Sequence, residues 1–367
     1  MFRIGKCGLL VIVSVLASAP MLAATPMSTL ASSLNPGTAA ELTTTNAGPT
    51  FSVSAGGNHS VFEFTNEIAW DSAARRAYFL GTSDPNNTSG DAKFIRFDDD
   101  SNTWSTLSYP AFGNDGSPMH AYDHHAVDPV SRRMWYTPFA VNGRRELFEY
   151  SLTSGTWTER QGPTSANYVE DASAIAWFPD RNRLILWGVV NTGIRDDVWE
   201  YNPATNTWAS LATNVSSIQQ RIHGMAKYSA VKHMVWVGGG NSSNQMYRVR
   251  ADGTVAVSAA SPIDMNVNAT LVVDDPVSGN YLVWRDDRFY EYDPTTDRWT
   301  NRGGSWPWQS TSFNPRLFHT VATSIPNYGV VMICQWRDGA GRVWLYKHSA
   351  GAPADPEPQA PVVTDVE

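Results

Sequence analysis

The chain has 367 residues, is 42% hydrophobic and 17% charged, and carries a formal net charge of −8. That acidity makes nucleic acid a poor partner for the chain as a whole. With 27 Gly, 22 Pro, 15 Trp and 14 Tyr, the composition favours strands and tight turns and excludes a coiled coil or a wholly disordered chain.

Residues 1–6 carry Arg3 and Lys6, an apolar run covers 7–22, and the small residues Ala23 and Ala24 follow. This is the layout of a secretory signal peptide over 1–24, and it implies a secreted or periplasmic protein. The alternative, a membrane anchor, is disfavoured because the run is short and broken by Ser14, Ser18 and Pro20. After cleavage no membrane contact is expected. Loss of Cys7 leaves Cys334 as the single cysteine, so neither an internal disulfide nor Cys–His zinc spacing is expected. Residues 25–49, rich in Thr, Ser, Ala, Pro and Gly, read as a linker leading into Phe51-Ser52-Val53. Residues 349–367, rich in proline and acid, read as a solvated tail.

Between these lies a repeat. A strand with an aromatic ending is followed by a turn and a Thr-Trp pair or its relative. Phe94-Ile95-Arg96-Phe97 precedes Asn102-Thr103-Trp104, and Leu147-Phe148-Glu149-Tyr150 precedes Gly155-Thr156-Trp157. Val198-Trp199-Glu200-Tyr201 precedes Asn206-Thr207-Trp208, and Met246-Tyr247-Arg248-Val249 precedes Gly253-Thr254-Val255. Phe289-Tyr290-Glu291-Tyr292 precedes Asp297-Arg298-Trp299, and Val343-Trp344-Leu345-Tyr346 comes last with no partner. An apolar hairpin lies upstream of each, at 67–80, 124–136, 174–187, 224–237, 271–284 and 321–334. Four strands every ~45–50 residues mark a β-propeller blade. Trp104, Trp157, Trp199, Trp208, Trp299 and Trp344 are expected to pack between blades. The sixth unit lacks an outer strand, and the stretch at 51–53 is expected to supply it and so remove an exposed edge.

The recurring endings Asn-Thr-Trp, Gly-Thr-Trp and Asp-Arg-Trp and hairpins such as Trp236-Val237-Gly238-Gly239-Gly240 resemble kelch repeats. The reading is all-β: a six-bladed kelch-like β-propeller over 50–348, its sixth blade closed by an N-terminal strand. The chain is expected to be monomeric.

In a propeller the strands pack and the loops act. Loops that lead into the inner strands gather at one mouth with those joining the middle strands. The first set carries His120, Tyr122, Tyr168, Glu170, Asp171, Arg221, His223, Asn266, Asn268, Arg316 and His319. The second carries Arg144, Arg145, Arg195, Arg285 and Arg337. Only five of the 27 basic residues are lysine, and arginine suits two-pronged contact with carboxylate or sulfate. His125 aligns with apolar residues of the other hairpins and is expected in the core, whereas His124 occupies a variable slot. His120, Tyr122, His124, His223 and His319 therefore form a candidate acid–base cluster. Arg195, Arg221, Arg316, Asn266, Tyr168 and Trp308 are candidate binding groups.

These groups suit β-elimination on a uronic-acid-containing polysaccharide. That reaction needs a neutralised carboxylate, a base for the adjacent proton and an acid for the leaving oxygen. Some propeller-fold polysaccharide lyases are similar in using His, Tyr and Arg at the mouth. The alternative is a non-catalytic module binding a glycan or protein, with Trp306 and Trp308 as stacking surfaces. Arg316-Leu317-Phe318-His319-Thr320 also resembles the copper-binding stretch of galactose oxidase and its relatives, but Phe318 stands where that family has a ligating tyrosine. Sialidase chemistry is a lesser option, since that family's repeat box is missing. No cofactor is expected beyond structural calcium at acid turns such as Asp98-Asp99-Asp100. The expected partner is an anionic polysaccharide or glycan.

Overall fold

The computed structural model describes residues 23–53, 59–82, 91–112, 121–138, 146–162, 168–190, 195–216, 223–309 and 319–351. They form six four-stranded antiparallel sheets. The first blade comprises Ala69–Asp71, Arg76–Gly81, Lys93–Asp98 and Thr103–Leu107. The second comprises His125–Asp128, Arg133–Tyr136, Glu146–Ser151 and Trp157–Gln161. The third runs Tyr168–Phe178, Arg183–Val190, Arg195–Asn202 and Thr207–Ser216. The fourth runs Gly224–Ser229, Met234–Gly239, Met246–Arg250 and Val255–Val257, and the fifth Thr270–Asp274, Tyr281–Arg285, Arg288–Asp293 and Arg298–Asn301. The sixth has Thr320–Ile325, Val330–Arg337 and Ala340–Lys347. Each inner strand touches the next around the ring, and the sixth touches the first, so the ring is closed.

The closing strand is Thr38–Glu41, not 51–53. It pairs antiparallel with the last strand, from Thr38 opposite Lys347 to Glu41 opposite Trp344. Phe51 instead ends a short helix, Ala47–Phe51. Its ring packs edge-on against Phe62 and Trp104, each with centroids 4.6 Å away. The expected linker is therefore structured. A helix at Pro26–Ser33 begins with a capping box in which Thr25 accepts from the Ser28 N–H and Ser28 answers back. Met27, Ala31, Leu42, Ala47 and Phe51 all join the core around the sixth and first blades. These few anchors lie in a small, polar stretch, too sparse to show a period.

The repeat has a local cause. The residue that closes each turn, Asn102, Gly155, Asn206, Gly253 or Asp297, has positive φ in all five complete units. Gly, Asn and Asp are the residues that tolerate this conformation, so those types recur there. In the third and fifth blades the preceding strand's tyrosine locks the turn: Tyr201 Oη donates to Asn206 at 2.7 Å and Tyr292 Oη to Asp297 at 2.6 Å. The following tryptophan reaches the neighbouring blade, with Trp208 Nε1 donating to the Gln161 carbonyl at 2.6 Å and Trp299 Nε1 to Ala259 at 3.1 Å. Trp104 and Trp344 are buried, while Trp157, Trp199, Trp208 and Trp299 are half-buried at the blade edges.

One segment crosses the axis. Residues 59–66 precede the first inner strand, and Asn66 joins four blades. Its Nδ2 donates to the Thr270 carbonyl at 2.5 Å and lies 3.2 Å from Met225 Sδ, and its Oδ1 accepts from the Val272 N–H at 3.0 Å. Its backbone N–H donates to Tyr122 and its carbonyl accepts from the Ala322 N–H. The central opening is thus filled at this level by the chain itself. Asn66→Ala strands a buried carbonyl and N–H, at about 1–3 kcal/mol each. A loss of ~2–5 kcal/mol and a fall in Tm of about 3–7 °C are expected in thermal denaturation. An unchanged Tm would remove Asn66 as the hub.

Candidate functional site

Tyr122 and His223 meet at the mouth. Their ring centroids lie 5.1 Å apart, and Phe64 from the crossing segment stacks on His223 at 6.4 Å. All three have left-handed backbones, with φ of 55° at Phe64, 40° at Tyr122 and 74° at His223. For residues with bulky side chains this conformation costs on the order of 1–3 kcal/mol each and persists only where the surroundings enforce it. Here they do. The Tyr122 carbonyl accepts from Thr65 Oγ1 at 2.8 Å and from the Asn66 N–H, and the His223 carbonyl accepts from the Val267 N–H.

His223 Nδ1 lies 2.8 Å from Asn241 Oδ1 and 2.9 Å from Asn268 Nδ2. The first contact serves the Nδ1–H tautomer and the second the bare Nδ1, so either neutral form of the ring has a partner. Burial holds the imidazole below its ordinary value, partly offset by Asn241. It is therefore neutral at pH 7 and suited to accept a proton.

The other histidines separate from this pair. His319 is half-buried on the sixth blade's approach, its Nδ1 3.2 Å from Ser60 Oγ and 3.8 Å from Glu63 Oε1. Burial lowers it to about 4, and His59 adds to the effect. Glu63, itself 2.7 Å from His59 Nδ1, is raised by desolvation. Phe64 and Glu63 are neighbours, so His223 and His319 flank the same segment from different blades. His124 is a correction: it is fully buried and pushed down to about 3 by desolvation, with His125 contributing, so it belongs to the core. His125 is buried as expected, with Nε2 within 2.9 Å of both the N–H and the carbonyl of Leu80.

The expected binding groups change more. Trp308 is fully buried, stacked on Trp306 at 5.6 Å and edge-on to Trp284 at 5.5 Å, so it is a packing residue and cannot hold a sugar. Asn266 is nearly buried and orders its own loop, its Oδ1 accepting from the Asn268 N–H. Two loop arginines are tied to the protein: Arg285 Nη1 donates to the Asp264 carbonyl at 2.6 Å, and Arg337 Nη1 to Pro307 at 3.1 Å. His120, Arg144, Arg145, Arg221, Arg316 and Phe318 lie outside the described residues, as do the signal segment 1–22 and the tail from 352. Tyr168, Glu170, Asp171 and Arg195 are described in backbone only. The acid turn is engaged internally, with Arg76 on Asp98 at 2.7 Å, Arg75 on Asp100, and Tyr328 Oη donating to Asp99.

Sequence reasoning missed a charged layer just below the pair. Lys227 Nζ lies 2.7 Å from both Glu67 Oε2 and Asp123 Oδ1; Lys227 and Asp123 are buried and Glu67 is half-buried. Asp123 also accepts from the Ala226 N–H at 2.9 Å. Desolvation raises both carboxyls, Glu67 to about 8. We assign the charge to Asp123, which has the extra N–H, and the proton to Glu67. The signal in the sequence was a lysine inside an otherwise apolar inner strand, Gly224-Met225-Ala226-Lys227. Glu67 is protonated more readily folded than unfolded, so its contribution is complete below the ordinary 4.5 and is lost as pH rises through about 8. Denaturant melts should therefore show stability falling from pH 5 to 8.5, and Glu67→Gln should remove up to ~1.4 kcal/mol per pH unit of that slope. An unaltered slope in the variant refutes the assignment.

The fold is that of a six-bladed β-propeller. The chain is similar to a structural-genomics protein of unknown function from Bacteroides thetaiotaomicron VPI-5482, with a TM-score of 0.53 and 11% identity, covering 84% of this chain and 75% of that one. It is also similar to a chain of a nidogen/laminin complex, with a TM-score of 0.46 and 11% identity, covering 65% and 79%. At 11% identity the first likeness shows the fold alone. No family model and no curated protein matches the chain. Among the described residues no helix is long and apolar enough to cross a membrane, and no group of three or more His, Cys, Asp or Glu is placed to hold a metal ion.

Proposed function

We propose that this is an exported kelch-type propeller that cleaves a uronic-acid-containing polysaccharide by β-elimination at its mouth. The observation that carries the reading is the stack of Phe64, His223 and Tyr122, three aromatic residues held together in strained backbone. Neutral His223 takes the proton from the carbon beside the uronate carboxylate. The C–H electrons form the new double bond, and the bond to the leaving oxygen breaks. Tyr122 gives its proton to that oxygen. The amides of Asn241 and Asn268 steady the imidazole through the transfer. Export rests on the sequence of residues 1–24, and the kelch assignment on the repeated turn.

The test is absorbance near 235 nm, an estimate for a conjugated uronate product, on ulvan, alginate, pectate and glycosaminoglycans. Growth of that absorbance supports the lyase, and silence across the panel ends it. A second reading, a glycan-binding module without turnover, is favoured by one fact: Tyr122 is only 6% exposed. Binding of the same polymers without cleavage would support it.

A further inference from the structure

Among the described residues none fills the opposite end of the axis. The turns joining inner to second strands surround a cavity of ≈ 160 Å³ lined by residues of all six blades. Its floor is the charged layer, where Glu67 and Lys227 face it, with Asp274 beside them. Trp70, Trp177 and Tyr228 form aromatic walls, and small alanines such as Ala176 and Ala322 leave the space between them. The walls are fixed by bonds made elsewhere: Trp70 Nε1 donates to Asn327 at 2.9 Å and Tyr228 Oη to Asp180 at 2.7 Å.

The charges do not balance. Among the residues that line the cavity Lys227 is the one cation, its ammonium is held by Asp123 and Glu67, and with the proton on Glu67 the Asp274 carboxylate is left without a cation of its own. Asp274 has only a hydroxyl partner, Ser324, beside its own backbone. A cavity that joins surplus carboxylate to aromatic walls attracts positive charge on an apolar body, through ion pairing and cation–π contact. Its size sets the scale, since a space of about 150 Å³ holds a benzene ring.

We propose that this axial cavity binds a compact organic cation, a primary amine on an apolar body of about six to eight non-hydrogen atoms, with Asp274 as counter-ion, the uncharged Glu67 carboxyl as a hydrogen-bond partner, and Trp70, Trp177 and Tyr228 as walls. The site is independent of the mouth chemistry, because no group of the Phe64–Tyr122–His223 stack lines it.

The experiment is titration calorimetry on the whole protein at pH 7 with three probes of one shape: benzylamine, benzyl alcohol and benzoate. Saturable one-to-one binding of benzylamine is expected, at least tenfold tighter than the alcohol, with no binding of benzoate. Asp274→Asn removes the counter-ion and should weaken benzylamine at least tenfold. Ala176→Met narrows the cavity without altering charge and should do the same. Ala322→Val serves as the filling variant if Ala176→Met does not melt cooperatively. The proposal is overturned if benzylamine gives no saturable heat, if the alcohol binds as tightly, or if folded filling variants bind like the parent.

Discussion

Lys227→Met is expected to cost the propeller about 3–5 kcal/mol, the typical penalty for leaving buried carboxylates without their cation. The ammonium sits 2.7 Å from two carboxyls inside the ring, and methionine replaces its length but not its charge. Both carboxyls would then favour protonation more strongly, so the variant should recover stability as pH falls. Adding Glu67→Gln and Asp123→Asn should restore most of the loss at neutral pH, because the neutral isosteres no longer need a cation. Urea denaturation of the single and triple variants at pH 5 and 8 reads both effects. A single variant as stable as the parent would mean that the layer is hydrated and carries little of the ring's stability.

His223→Ala is expected to lower kcat/KM on the cleaved polymer by about 10²–10⁴-fold, the range for a general acid or base, and Tyr122→Phe by a similar factor. The two should not add fully, because they act as base and acid in the same elimination. Burial lowers His223 below its ordinary 6.5, so the acidic limb of the pH–rate profile should fall below that value. His223→Asn keeps a planar polar group beside Phe64 that cannot take the proton, and so separates lost chemistry from the full loss of the side chain. His319→Ala is the contrast. Its ring is held among Ser60, Glu63 and the crossing segment, so activity should survive the change. Equal losses at 223 and 319 would move the centre to the other flank of that segment.

The blades were legible because their cause is local. A residue tolerant of positive φ, then threonine or its stand-in and tryptophan, recurs wherever a strand must turn and reach its neighbour. The closing strand was misplaced because Thr38–Glu41 has no pattern of its own; its partner strand defines it. At the mouth, chain order located Tyr122 and His223 but could not foresee that residues 59–66 fold across the axis and sort the histidines into separate environments. Trp308 reads as an exposed platform because Trp306-Pro307-Trp308 falls between strands, yet it completes an aromatic cluster with Trp284 and Tyr346. Lys227 and Asp274 were hidden differently. Strand alternation says which face a side chain takes, but not that six such faces surround one axis.

The pairing of Thr38–Glu41 with the strand ending at Lys347 also governs assembly. The two partners are roughly 300 residues apart, so loop closure delays their meeting until the last sheet exists. During synthesis the early strand must wait unpartnered while five sheets stack in succession. The ring therefore snaps shut in a final step, and a chain truncated before residue 340 would present two sticky edges and tend to join with its own kind.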